Sequence, residues 1–321
     1  MKAALITDKN QLALRETDLP VAGPSDILAK VHAAALNRAD VGVLAAGLPA
    51  GGAAYVAGRE FAGEVVAVGS AVRDFKPGDR VMAYGMGAFA ELTKVDHRLA
   101  MRVPAALGWD EAAASPLGLQ TMHDALVTQG RLAAGEAVLI HGAASGMGIM
   151  GIRMAKALGA AQVIGTSRSD EKLKSLAAFG MDAGVNIGAA DWPRQVRALT
   201  GGKGVNVVVD MVTGGTVAGS LAAAAVLGRI VNVGRLGGSA GAFDFDVHAL
   251  NRLSYIGVTF RTRSTEEIQA LILRAEKDLG ARIGDGTLAI PVSRVFSLDA
   301  VVEAHEFMRS NAHLGKILIK P

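Results

Sequence analysis

Between residues 136 and 260 the sequence alternates short apolar runs with stretches of helical pattern. Residues 137–141, 162–166, 205–210 and 229–233 are runs of strand length. Residues 148–158, 170–179, 191–200 and 216–225 lie between or after them and read as helices. An apolar run without polar alternation suits a strand buried on both faces. Strands joined through helices lie parallel, because each crossover helix packs back onto the sheet. The pattern therefore predicts an α/β fold, with a doubly wound parallel sheet. A further strand at 253–260 and a helix at 265–279 follow.

The rest of the chain reads differently. Up to about residue 105 it is strand-rich, with strands expected at 27–33, 63–68 and 80–83 and a Pro77-Gly78-Asp79 turn leading into the last. Near Trp109 the pattern changes to two helical pieces with Pro116 interrupting. The tail ends in the strand-like GKILIK. Glycine makes up 40 of 321 residues and is spread among apolar runs, which suits tight turns rather than a disordered tail. The net charge is +3, with no Lys/Arg block, so no nucleic-acid partner is expected. No run approaches the roughly 18 apolar residues of a membrane span, and the start lacks the apolar core of a signal peptide. A cytoplasmic protein with no membrane partner is the expectation. The absence of cysteine removes disulfide and thiolate chemistry.

The most informative segment is AVLIHGAASGMGIMGIRMAKALGA, beginning at Ala137. A strand runs into a turn of small residues, from His141 to Gly148, and then into a helix. Small side chains let the chain turn tightly and let the backbone approach a diphosphate. The helix start adds unpaired N–H groups and a partial positive charge. The G-x-G-x-x-G spacing falls on Ala143, Ser145 and Gly148, so only the last position is glycine. Ser145, Gly146, Met147 and Gly148 are the expected diphosphate contacts. The next strand selects the dinucleotide. An NAD site places Asp or Glu near its end. Here that position is Ser167, followed by Arg168, with Lys172 one helical turn on. Hydroxyl, guanidinium and ammonium would hold a 2′-phosphate that a carboxylate would repel. The expected cofactor is NADPH.

With these residues in view, the chain resembles the medium-chain dehydrogenase/reductase superfamily, in its zinc-independent quinone oxidoreductase branch related to zeta-crystallin. The resemblance runs through LNRAD (36–40), GREFAGEVVAVGSAVRDFKPGDRV (58–81), AFAEL (88–92), SPLGLQT (115–121), VLIHGAASGMG (138–148), GRIVNVG (228–234) and HLGKILI (313–319). It implies a strand-rich GroES-like catalytic domain of residues 1–115 and 263–321. A six-stranded Rossmann dinucleotide-binding domain, 116–262, is inserted between them. It also implies a homodimer. Zinc-dependent relatives carry a ligand Cys where this chain has Asn37, and Gly-His-Glu where it has Gly58-Arg59-Glu60. A guanidinium cannot ligate zinc, and three protein ligands are needed.

Without a metal to polarise an alcohol, the expected reaction is hydride delivery to a quinone or an α,β-unsaturated carbonyl, with donors aimed at the oxygen where charge develops. Asn37, an amide donor at the family's Asn position, is the first candidate beside the nicotinamide or substrate. By resemblance, Thr121 contacts the nicotinamide carboxamide and Lys316 reaches the cofactor. Gly234, in GRIVNVG, is a further expected cofactor contact; Phe260 and Arg261 follow the sixth strand near where the family closes its cleft, and packing is the plainer reading of Phe260. Relatives often have a proton-donating Tyr in a Gly-x-Tyr-Pro stretch, whereas this chain reads AAGLPAGG there. Tyr55 is the candidate substitute, and water is the alternative. His32, His123 and His141 read as structural. Two other readings stay open. One is an enoyl-thioester reductase of the same superfamily. The other is a non-catalytic NADPH-binding or RNA-binding relative.

Overall fold

A computed structural model describes residues 1–8, 11–48 and 52–321. Residues 49–51, inside the stretch that lacks the relatives' Tyr, lie outside the described residues. The chain divides into two compact units, Met1–Leu117 with Ser264–Pro321, and Gly118–Arg263.

The first unit holds strands β1 (Lys2–Asp8), β2 (Gln11–Glu16) and β3 (Asp26–Leu36), helix α1 (Arg38–Ala46), and strands β4 (Tyr55–Val56), β5 (Glu60–Val68), β6 (Arg80–Tyr84), β7 (Leu92–Asp96) and β8 (Ala100–Arg102). Helix α2 (Trp109–Ala114) follows, and Pro116 begins α3 (Pro116–His123), as the proline's lost N–H would suggest. The second unit continues with β9 (Ala137–Ile140), α4 (Gly146–Ala157), β10 (Gln162–Ser167), α5 (Asp170–Ser175), β11 (Ala183–Asn186), α6 (Trp192–Leu199), β12 (Val205–Asp210), α7 (Val217–Ala223), β13 (Ala224–Asn232), α8 (Phe245–Leu250) and β14 (Ser254–Gly257). The chain returns to the first unit with α9 (Thr265–Gly284), β15 (Val292–Ser297), α10 (Val301–Ser310) and β16 (Lys316–Lys320).

In the first unit a sheet of order β15-β16-β3-β5-β6-β8 packs around Ile27, Phe61, Val81, Phe89 and Ile317, with β7 also paired to β3. At its centre, strand β3 runs antiparallel to both neighbours, pairing Leu36 with Ile317 of β16 and Ala34 with Phe61 of β5. Three strand termini therefore meet at one edge, bringing Asn37, Glu60 and Lys316 side by side across 279 residues of sequence.

The second unit is the doubly wound α/β sheet. Its six strands are all parallel, in order β11-β10-β9-β12-β13-β14. The order reverses between β9 and β12, and in such sheets ligands bind outside the carboxyl ends at that reversal. The residue pattern gave five of the six strands. Strand β11 carries only Ala183, Gly184, Val185 and Asn186, too little Val, Ile or aromatic content to register. The helix expected at 170–179 tightens after Ser175 into a 3₁₀ turn, Leu176–Phe179. After α3 the helix widens into a π-helical turn, Asp124–Gln129.

Candidate active site

The turn after β9 is built for close backbone approach. Ser145 caps α4: its hydroxyl accepts from the Gly148 N–H at 3.1 Å and donates to the Gly142 carbonyl at 2.8 Å, a cap worth about 1 kcal/mol. The Ser145 side chain is thus engaged within the chain. What the helix start offers an anion is the backbone N–H groups of Gly146 and Met147, which have no acceptor one turn back within the helix. A Cβ at Gly148 would lie 2.5 Å from the Ala143 Cα and carbonyl oxygen. Only glycine lets the helix sit this low on the turn.

The neighbouring carboxyl ends complete the rim. Ser167 ends β10 and is half-buried, Arg168 is exposed, and Lys172 is half-buried on α5. Partial burial pushes the Lys172 ammonium below the usual lysine range. The next carboxylate in the chain, Asp170, accepts from the Asn186 amide at 2.8 Å. At the end of β12, Asp210 accepts from the N–H groups of Val212 and Thr213 and from the Thr216 hydroxyl, at 2.8–3.0 Å. Thr213 in turn donates to the Gly234 carbonyl at 2.6 Å. Gly234 lies just beyond β13, where a Cβ would come within 2.5 Å of the Met211 carbonyl. His141 has both ring nitrogens engaged, by Thr166 at 2.8 Å and Ser220 at 2.9 Å, and burial lowers its pKa. It is a structural residue. Thr121 is buried in α3. Phe260 and Arg261 follow β14, with the Arg263 guanidinium 5.2 Å from the Phe260 ring centre.

The first unit holds a second polar cluster, at the three meeting strand ends. The Glu60 carboxylate is fully buried. It accepts from the Asn37 amide at 2.8 Å, from the Leu117 backbone N–H at 2.9 Å, and from the Lys316 ammonium. Lys316 also donates to the Asn37 side-chain oxygen at 2.8 Å. These contacts correct two expectations. Both N–H groups of the Asn37 amide are spent, on Glu60 and on the Ala35 carbonyl at 3.2 Å, so the donor role expected of Asn37 is not open to it. The second expectation, that Lys316 reaches the cofactor, meets an ammonium already bonded to Asn37 and Glu60. It is 3% exposed and bonded inside its own unit. Glu60 escapes a reading of the sequence because there it stands only as the neighbour of a missing zinc ligand.

Behind this cluster, Asp40 caps α1 through the Asn37 N–H at 2.8 Å and faces the Arg59 guanidinium at 3.4 Å. Burial pushes its pKa up to about 7, against the opposing pull of the Asn37 N–H and Arg59. Tyr55 joins Asp40, Val43, Arg59 and Met86 around a small pocket. Because Asp40 is protonated in the fold at pH values where the unfolded chain is ionised, stability falls as pH rises from about 4 to about 7. Each pH unit in that window costs about 1.4 kcal/mol. Asp40→Asn should flatten this slope and gain up to about 4 kcal/mol at pH 8, the three pH units at that cost per unit. Urea midpoints at pH 5 and pH 8 test this, and an unchanged slope in the variant would refute it.

Two family models match the chain. Residues 23–105 match the alcohol dehydrogenase GroES-like domain, and residues 146–277 match the zinc-binding dehydrogenase model. Escherichia coli quinone oxidoreductase, solved with NADPH, superposes with a TM-score of 0.89 at 26% identity over the whole of both chains. The chain belongs to the medium-chain dehydrogenase/reductase superfamily, in its quinone oxidoreductase branch. Quinone oxidoreductase-like protein 2 of Rattus norvegicus is 29% identical over 99% of this chain and 91% of its own length. Highly reducing polyketide synthase gloL of Glarea lozoyensis is 29% identical over 92% of the chain, which spans only 12% of that protein. Both expected architectures, the GroES-like unit and the Rossmann unit, are present. Among the described residues no group of three or more His, Asp or Glu could hold a metal. The residues at the zinc-ligand positions do not fit a zinc ion: Arg59 is a cation turned to Asp40, and Asn37 is tied to Glu60 and Lys316. No helix among the described residues is long and apolar enough to cross a membrane.

Proposed function

We propose that the chain is an NADPH-dependent reductase of quinones or α,β-unsaturated carbonyls. The observation that carries the cofactor assignment is the end of β10. Ser167, Arg168 and Lys172 stand beside the diphosphate turn, and the first carboxylate after the strand, Asp170, is turned to Asn186. When bound, NADPH supplies a hydride to an electron-poor carbon. The chain's own residues do the rest. The N–H groups of Gly146 and Met147 take the diphosphate. Ser167, Arg168 and Lys172 take the 2′-phosphate. Thr121, Phe260 and Arg261 are assigned to the nicotinamide end of the site, and Tyr55 or water supplies the proton. Arg168→Asp should weaken NADPH about 10- to 100-fold, the range for charge-assisted hydrogen bonds, while leaving NADH binding near its starting value. Fluorescence titration with both cofactors measures this. Equal weakening of both would remove the 2′-phosphate assignment.

Similarity to a polyketide synthase over most of this chain supports enoyl-thioester reduction as a second reading. Steady-state NADPH oxidation with benzoquinones, simple enones and a crotonyl thioester separates the two. Turnover of the thioester alone would favour the second reading. Tight NADPH binding with no turnover of any acceptor would sink both and leave a binding protein.

A further inference from the structure

One residue of the second unit holds a backbone conformation that its own side chain opposes. Thr213, in the turn after β12, sits at φ 58° and ψ −161°. Glycine fills this region without strain, and a β-branched residue almost never enters it. The neighbours hold it there. The Thr213 N–H donates to the buried Asp210 carboxyl at 2.8 Å, and its carbonyl accepts from the Thr216 hydroxyl at 3.2 Å. Its own hydroxyl donates to the Gly234 carbonyl at 2.6 Å and accepts from the Asn232 amide. That amide also donates to the Tyr255 hydroxyl at 3.3 Å. Asp210 ends β12, Asn232 ends β13 and Tyr255 lies on β14, so the strained residue ties together the carboxyl ends of three parallel strands.

What the strain secures is a contact between main chains. A Cβ at Gly234 would lie 2.5 Å from the Met211 carbonyl oxygen, and one at Gly237 would lie 2.8 Å from that of Thr213. A Cβ at Gly214 would strike the Gly237 carbonyl, and one at Gly241 the Gly214 carbonyl. The turn after β12 and the segment 234–241 after β13 are therefore interlocked through glycines, with Thr213 among them. The place of this surface follows from the sheet. Its strand order reverses between β9 and β12, and a dinucleotide lies across such a reversal with one nucleotide on each side. Ser167 and Arg168 assign the adenosine half to the β10 side. The nicotinamide half then falls at the carboxyl ends of β12, β13 and β14.

We propose that Thr213 is a positioning residue for the nicotinamide half of NADPH: it fixes the turns after β12 and β13 as one rigid surface, with Asp210 and Asn232 holding it in its strained conformation. This rests on the NADPH assignment above and adds to it the group that sets where the nicotinamide lies. Thr213 acts through the main chain of its neighbours and takes no part in the hydride transfer itself. A site held by such supporting bonds is fixed before its ligand arrives, which is what positioning requires.

The test uses the full chain and the variants Thr213→Gly, Thr213→Ser and Asn232→Ala. Each is titrated by calorimetry with NADPH and with adenosine 2′,5′-bisphosphate, which carries the 2′-phosphate and the adenosine but no nicotinamide half. The urea midpoint and the kcat and KM with benzoquinone are read beside them. For Thr213→Gly the urea midpoint should stay near the parent's, relief of strain offsetting the lost hydroxyl bonds. NADPH affinity should fall about tenfold, the scale of one net hydrogen bond. Affinity for the bisphosphate should not change. The kcat should fall about 10²-fold, the scale of a misplacement of about 1 Å at the reacting centre. Asn232→Ala should move the same quantities by less, and Thr213→Ser, which keeps the hydroxyl, should restore most of both losses. A merely structural role would instead lower the urea midpoint and weaken both ligands together. Thr213→Gly with NADPH affinity and kcat within about twofold of the parent overturns the proposal. So does a loss shared equally by NADPH and the bisphosphate, or a parent that binds NADPH no more tightly than the bisphosphate. If Thr213→Gly fails to fold, Asn232→Ala decides by the same comparisons. If the parent turns over no acceptor, the reductase reading fails separately and the two affinities decide alone. A parent that binds neither ligand overturns the NADPH assignment and this proposal with it.

Discussion

Gly148→Ala is expected to weaken NADPH binding about 10- to 100-fold and to destabilise the second unit by about 1–3 kcal/mol, the usual cost of forcing atoms into a packed region. The new Cβ would meet main-chain atoms of Ala143, at 2.5 Å from Cα and oxygen and 2.6 Å from the carbonyl carbon. Main-chain atoms cannot rotate aside as a side chain can. The first turn of α4 must therefore lift from the turn after β9, carrying with it the N–H groups of Gly146 and Met147 that we assign to the diphosphate. It would also strain the cap, since the Gly148 N–H is the one that Ser145 holds. Gly215→Ala is the matched control, because a Cβ there meets nothing within 4 Å. Fluorescence titration and urea unfolding of both variants read the two effects. An alanine at 148 that binds NADPH as tightly as the parent would show that the close approach is not what makes the site.

The strand, tight turn and helix around Gly148 were legible because their physics is local. A strand, a turn of small residues and a helix are contiguous in the chain, and the requirement for glycine at 148 follows from a contact only five residues away. The alternation of apolar runs and helices was legible for the same reason, and the weak edge strand β11 was missed because four residues carry no period. The Lys316 cluster is the opposite case. Asn37, Glu60 and Lys316 are far apart in sequence and meet only because β3 pairs with β16 on one side and β5 on the other. Sequence similarity put Asn37 and Lys316 among the candidates but could not say that they touch, nor that Glu60 stands between them. The role of Arg59 was half legible. Its charge argued against a zinc ligand, but its partner Asp40 and the pocket they share with Tyr55 depend on how α1 packs behind the strand ends.

Breaking the buried pair in that cluster should give the largest loss of stability. Glu60→Ala strands the Lys316 ammonium in a site where it is 3% exposed, and removing one partner of a buried pair costs about 3–5 kcal/mol. The same change leaves the Leu117 N–H and one Asn37 N–H without their acceptor, at about 1–3 kcal/mol for each buried group left unmade. Adding Lys316→Met should recover most of the loss, since two charges removed together leave nothing uncompensated. The readout can be confined to the first unit. The chain has two tryptophans. Trp109 stacks on His32 in the first unit at 4.2 Å, and Trp192 packs against His141 in the second. In a Trp192→Phe background, emission therefore follows Trp109 alone through urea unfolding. A loss below about 1 kcal/mol for Glu60→Ala would be the size of an exposed surface pair. It would mean that water reaches the ammonium as freely as it reaches a surface lysine, against its burial among the three strand ends.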